Sequence, residues 1–71
     1  MKKEIIKNSV AELRKSKQVT QEELAEAIGV TRQTIIAIEK GNYTPSVTLA
    51  LKVSKFFGKA LEEIFSIAYE K

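Results

Sequence analysis

The sequence predicts an all-α domain of five short helices, and three observations carry that expectation. Apolar residues recur at helical spacing, as in Ile6, Val10 and Leu13 and again in Leu24, Ala25 and Ile28. Hydroxyl residues stand where helix starts need an acceptor, at Thr20, Thr31 and Ser46. Gly29, Gly41 and Gly58 stand where the same helices must stop.

The first helix is expected from about Lys3 to Lys17, with Ile6, Val10 and Leu13 buried and Ile5 near the surface. The alternative for Met1–Ile6 is a basic arm in which Lys2 and Lys3 touch phosphates. The second helix starts sharply. Thr20 is its N-cap, Glu23 completes a capping box, and Val19 and Leu24 fall at the staple positions. Leu24, Ala25 and Ile28 face inward, Glu22, Glu23 and Glu26 face water, and Gly29 takes the left-handed turn that a β-branched residue resists. The third helix repeats the pattern, with Val30 and Ile35 around the Thr31 cap, Ile35 and Ile38 inward, and Gly41 at its end. Helices of this length, roughly 12 Å each, pack steeply only over a small residue, and Ala25 is that residue. A turn follows through Gly41-Asn42-Tyr43-Thr44-Pro45, with Ser46 as cap of the fourth helix and Thr44 before Pro45 as the alternative. The fourth helix runs to about Phe57, with Val47, Ala50, Leu51, Val53, Ser54 and Phe57 inward. The fifth spans about Ala60 to Ile67 and buries Leu61 and Ile64.

The stretch Gln21–Lys40, QEELAEAIGVTRQTIIAIEK, resembles the helix-turn-helix of the lambda repressor and Cro-like (XRE-type) transcriptional regulators. Ala25, Gly29, Ile35 and Ile38 match that motif's alanine, glycine and two aliphatics, and GNYTPS at Gly41–Ser46 is similar to the family's turn into its fourth helix. The similarity covers roughly Val10 to Phe65, and it implies a five-helix lambda-repressor-like DNA-binding domain. It also implies that Arg14 and Glu39 pair from the first helix to the end of the third, orienting the latter more than stabilising the fold. Two departures stand out. Gln18 replaces the glycine usual after the first helix, so an irregular cap is expected there, and Lys59-Ala60 replace the aliphatic and hydroxyl residues that usually precede the last helix.

The resemblance makes the outward face of the third helix, Arg32, Gln33, Ile36, Ala37 and Lys40, the place of function. Such a helix presents its N-terminal half to base edges in the major groove. Gln33 suits adenine; Arg32 suits either the two acceptors of guanine or a phosphate. Ile36 either meets a thymine methyl or is an ordinary exposed apolar residue. Base contact is thus assigned to Arg32, Gln33, Ile36 and Ala37, and phosphate contact to Gln21, Thr31, Lys40, Asn42, Tyr43, Thr44 and Ser46, where side-chain donors stand beside helix N-termini. One such helix reads only a few base pairs, so a homodimer on a palindromic site of double-stranded DNA is expected. Leu49, Phe56, Phe65, Ile67 and Tyr69 exceed what the last two helices need for their cores and are assigned to the self-contact.

Composition sets the remaining bounds. With 71 residues the chain is expected to form one domain, residues 1–71. The absence of cysteine and histidine removes disulfides, thiolate metal sites and the commonest general base, so no enzyme, catalytic residue, metal or cofactor is expected. Glu22 and Glu23 read as a solvated first turn rather than a catalytic pair. A net charge of +3 from 12 basic and 9 acidic residues permits a polyanion without demanding one. No apolar run approaches the roughly 18 residues of a membrane span, and no secretory signal is recognisable, so a cytoplasmic protein is expected. A rival expectation is an antitoxin or adaptor that uses the same fold to bind a protein.

Overall fold

The two ends of the chain pair with each other. In the computed structural model, which describes residues 3–70, strand β1 (Lys3–Asn8) runs antiparallel to strand β2 (Phe65–Glu70), with Lys3 opposite Glu70 and Asn8 opposite Phe65. Between them lie helices α1 (Val10–Ser16), α2 (Gln21–Ile28), α3 (Arg32–Glu39), α4 (Val47–Phe57) and α5 (Leu61–Ile64). Among the described residues there are therefore five helices and a two-stranded sheet, not helices alone.

That sheet corrects both ends of the expected helical pattern. The first helix starts at Val10 rather than near Lys3, and Lys3 belongs to the β1 ladder. Met1 and Lys2, where the basic arm was the alternative, lie outside the described residues. The fifth helix stops at Ile64, because Phe65 is already extended at φ −117° and ψ 138°. The cause is alternation: Phe65, Ile67 and Tyr69 fall on one face of a strand, and directly opposed residues share a face. Ile6 stands opposite Ile67, Glu4 opposite Tyr69 and Asn8 opposite Phe65. Pairing half-buries Ile5 and Ile6 alike and satisfies both backbones, which two short helical ends would leave to water.

All five helices contribute to the core. Val10, Leu24, Ile35, Ile38 and Val53 are fully buried, and Ala25, Ile28, Leu49 and Ile64 complete the cluster. Val19 and Val30, the two staple residues, pack against it. Helix α4 is rotated from its expected orientation. Leu49 is only 8% exposed and belongs to the core, whereas Val47 and Leu51, expected inside, are 76% and 51% exposed. Leu49, Ala50, Val53, Phe56 and Phe57 stand at i, i+1, i+4, i+7 and i+8 and form one helical stripe, which is the face turned to the core. Val47 and Leu51 fall outside that stripe, so their apolar side chains misled the expected orientation.

Helices α1 to α4 all end in the same way. After α1 the N–H groups of Gln18 and Val19 donate to the carbonyls of Lys15 and Arg14, and equivalent pairs close α2 at Gly29 and Val30, α3 at Gly41 and Asn42, and α4 at Gly58 and Lys59. This is the paired cap that needs one left-handed residue. Three of those residues are glycine, and the fourth is Gln18 at φ 61°. The cap after α1 is thus regular, contrary to expectation, and it carries the strain of a side chain in the left-handed region instead.

Candidate nucleic-acid interface

Helix α3 starts at an exposed end and finishes at a braced one. At its start, Thr31 is extended and its hydroxyl accepts from the Thr34 N–H at 3.3 Å, while the Thr31 and Thr34 hydroxyls lie 3.1 Å apart. Thr31, Arg32 and Gln33 are exposed there, and Ile36 and Ala37 are half-buried further along. At its end three elements hold the helix. From α1, Arg14 donates from Nε to Glu39 Oε2 at 2.8 Å and from its second guanidinium arm to Oε1 at 3.3 Å. From the first turn of α2, Gln21 Nε2 donates to Glu39 Oε1 at 3.0 Å. From β1, Asn8 Nδ2 donates to the Ile38 carbonyl at 2.9 Å.

Arg14 and Glu39 are therefore brought together, with little of either side chain exposed. Arg14 also reaches the Val19 carbonyl at 3.0 Å, so it ties the turn before α2 to the end of α3. Burial pushes the Glu39 carboxyl up, but the hydrogen bonds of Arg14 and Gln21 and the charges of Arg14 and Lys15 outweigh it and hold the group below its usual 4.5. A charged acceptor with three donors is a rigid anchor. Glu23 is lowered too, first by the Thr20 backbone N–H, which donates to its carboxyl at 2.8 Å, and then by the Thr20 hydroxyl; in the other half of the capping box the Glu23 backbone N–H donates to that hydroxyl at 3.0 Å.

The positions assigned to phosphate contact divide into two groups. Lys40, Asn42, Tyr43, Thr44 and Ser46 are exposed together on the α3–α4 connection and the start of α4, where the Ser46 hydroxyl caps the Leu49 N–H at 3.2 Å. Gln21 is different: it is half-buried and one amide hydrogen is committed to Glu39. Its reading as a pure phosphate ligand missed this bracing role. Among the structural positions, Ala25, Ile35 and Ile38 are core residues, and Gly29 takes φ 76°.

Of the self-contact positions, Ile67 and Tyr69 are each 59% exposed on β2. Leu49 is corrected to a core residue. Phe56 and Phe65 pack against the core, and Phe56 further meets Phe57 edge-on and carries the Lys17 ammonium 5.7 Å above its ring. Sequence reasoning missed Asn8. An asparagine just before Ser9 is a helix-start signal, but a helix assumed to begin near Lys3 hides it.

Two short helices joined by a left-handed glycine, with the second presenting a polar N-terminal half, define a helix-turn-helix unit. The helix-turn-helix family profile matches residues 10–64, and the chain belongs to that family, in its XRE or Cro/C1 branch of DNA-binding transcriptional regulators. It is 55% identical over 60 residues to an uncharacterised HTH-type transcriptional regulator of Methanocaldococcus jannaschii, covering 84% of this chain and 91% of that protein. With the uncharacterised HTH-type transcriptional regulator YgzD of Bacillus subtilis it shares 51% identity over 65 residues, 92% of this chain and 98% of the other. Among solved structures, the restriction-modification controller protein C.AhdI of Aeromonas hydrophila superposes with a TM-score of 0.71 at 30% identity, over 76% of this chain and 82% of that one.

Proposed function

We propose that this protein is a cytoplasmic, sequence-specific repressor of transcription that binds a palindromic duplex as a homodimer and reads the major groove with α3. The observation that carries this reading is the contrast along α3, where an exposed Arg32-Gln33 end projects from a helix whose other end is held by Arg14, Gln21 and Asn8. Base reading needs side chains aimed from a rigid support. Gln33 takes adenine and Arg32 takes guanine or a flanking phosphate; Ile36 and Ala37 line the groove. Lys40, Asn42, Tyr43, Thr44 and Ser46 hold one backbone, with Gln21 and Thr31 on the other side. A bound dimer represses by occupying the site.

The self-contact is assigned to Ile67 and Tyr69 on β2, with Phe65 on the same strand face, and Leu49 and Phe56 are taken out of it because they pack in the core. The same surface supports the rival reading of a protein partner, and the mass of the free species separates the two.

The test is binding to mixed-sequence duplex and to a duplex selected for tight binding, as a function of salt, for the intact protein and for Arg32→Ala with Gln33→Ala. The expected result is a steep salt dependence in both proteins and a loss of preference for the selected duplex in the variant, by about 1–3 kcal/mol for each bidentate contact removed. Absence of binding at low salt by folded protein would remove the DNA reading.

A further inference from the structure

We infer that Asn8 is a positioning residue for the reading helix: its side-chain amide sets where the C-terminal turn of α3 sits, and sequence discrimination depends on it. This rests on the assignment of α3 as the base-reading helix. The amide makes two bonds of opposite sense. Asn8 Oδ1 accepts from the Val10 N–H at 3.1 Å, and Nδ2 donates to the Ile38 carbonyl at 2.9 Å. A backbone donor on one side and a backbone acceptor on the other fix the orientation, because a flipped amide would oppose donor to donor and acceptor to acceptor.

Both ends of this bridge are rigid. Asn8 lies opposite Phe65 in the sheet, and the next residue, Ser9, donates its N–H to the Ile64 carbonyl at 3.0 Å. Ile38 is fully buried, and its carbonyl also takes the Gly41 N–H at 3.0 Å, so both of its acceptor positions are used. The neighbouring residue Glu39 is held from the other side by Arg14 and Gln21. Without the Asn8 donor, α3 keeps its Glu39 anchor and loses the bond that stops it pivoting about that point. Base contacts tolerate such a tilt poorly, since paired hydrogen bonds to a base edge need the side chain within a fraction of an ångström. Phosphate contacts from exposed, flexible side chains tolerate it well.

The experiment compares Asn8→Asp and Asn8→Ser with the intact protein. Both keep an oxygen that caps the Val10 N–H, and neither can donate to Ile38 as the amide does; the aspartate sets an acceptor against that carbonyl. Each is titrated with a duplex selected by the intact protein and with mixed-sequence duplex, over a range of salt. Gly58→Ala, at the far end of α4, serves as a variant destabilised elsewhere. The expected result is a fall of about tenfold in the ratio of selected to mixed-sequence affinity, comparable to losing one base contact, with mixed-sequence affinity and salt slope unchanged. Gly58→Ala keeps the full ratio. If Asn8→Asp does not fold, Asn8→Ser carries the comparison. An unchanged ratio in the folded variants, or an equal fall in Gly58→Ala, overturns the proposal. If the intact protein shows no sequence preference at all, the base-reading assignment of α3 falls first, and this inference with it.

Discussion

Gln18 holds a conformation that its side chain resists, in a cap whose two hydrogen bonds are fully formed. Placing a Cβ in the left-handed region costs about 1 kcal/mol relative to glycine. Gln18→Gly should therefore raise stability by up to about 1 kcal/mol, with part of the gain returned to the more flexible unfolded chain. For a domain of this size that corresponds to roughly 4–8 °C in the thermal midpoint, and an unchanged or lower midpoint would show that the glutamine side chain contributes something the cap geometry does not reveal. Glu39 gives a second prediction. Its folded pKa lies below the 4.5 of an unperturbed carboxyl, so on acidification the unfolded chain takes up the proton first. Its contribution is then fully present well above pH 4.5 and is lost as pH falls through the folded value. Glu39→Gln should cost about 2 kcal/mol at pH 7, where it leaves Arg14 without its partner. Once the pH has fallen below the folded pKa the two proteins should converge, so chemical denaturation at pH 7 and through the acid range checks both magnitude and sign.

At the scale of elements, what the sequence revealed was local and what it hid was not. The caps of α2 and α3 were readable because Thr20 with Glu23, Thr31 between Val30 and Ile35, and the glycines at 29 and 41 act over four to six residues. The strands depend on a partner 57 to 67 residues away, from Asn8 with Phe65 to Lys3 with Glu70. Nothing near Lys3–Asn8 announces that partner, and Ile6 falls in helical register with Val10 and Leu13. The period-two signal was present in Phe65, Ile67 and Tyr69, but a two-stranded ribbon becomes stable only by packing on something else. The candidate site was legible in the same uneven way. Arg32 and Gln33 follow from the position of α3, whereas the brace of Gln21 on Glu39 and of Asn8 on Ile38 depends on how distant elements meet. Gly29 tests whether the turn inside the motif needs space or only backbone freedom. A Cβ built there meets nothing within 4 Å, and φ is 76°. Gly29→Ala should thus cost about 1 kcal/mol, the price of a left-handed alanine, and Gly29→Asn less. A loss of several kcal/mol would mean that the turn cannot accept any side chain.

The whole molecule leaves its last strand open on one side. The sheet has two strands among the described residues, and β2 presents Ile67 and Tyr69 to solvent beside an unpaired backbone edge, with no proline in Phe65–Glu70 to blunt it. An antiparallel strand can pair with its own copy about a two-fold axis, which is the symmetry that a palindromic site demands. The contact would join the sheet that carries Asn8, so the dimer would set the spacing of two α3 helices whose tilt is already fixed. On this reading Ile67→Lys with Tyr69→Lys should leave the monomer folded, since neither side chain belongs to the core cluster. Sedimentation should then show a monomer where the intact protein shows a dimer. Binding to one half-site should persist weakly, and affinity for a two-fold site should fall by at least tenfold, with the two half-sites filling independently. If the variant still sediments as a dimer, the self-contact lies elsewhere, and Val47 with Leu51 on α4 is the next surface to change. If the intact protein is itself monomeric and binds a two-fold site without cooperativity, the exposed face of β2 has a different partner, and the regulator reads one half-site at a time.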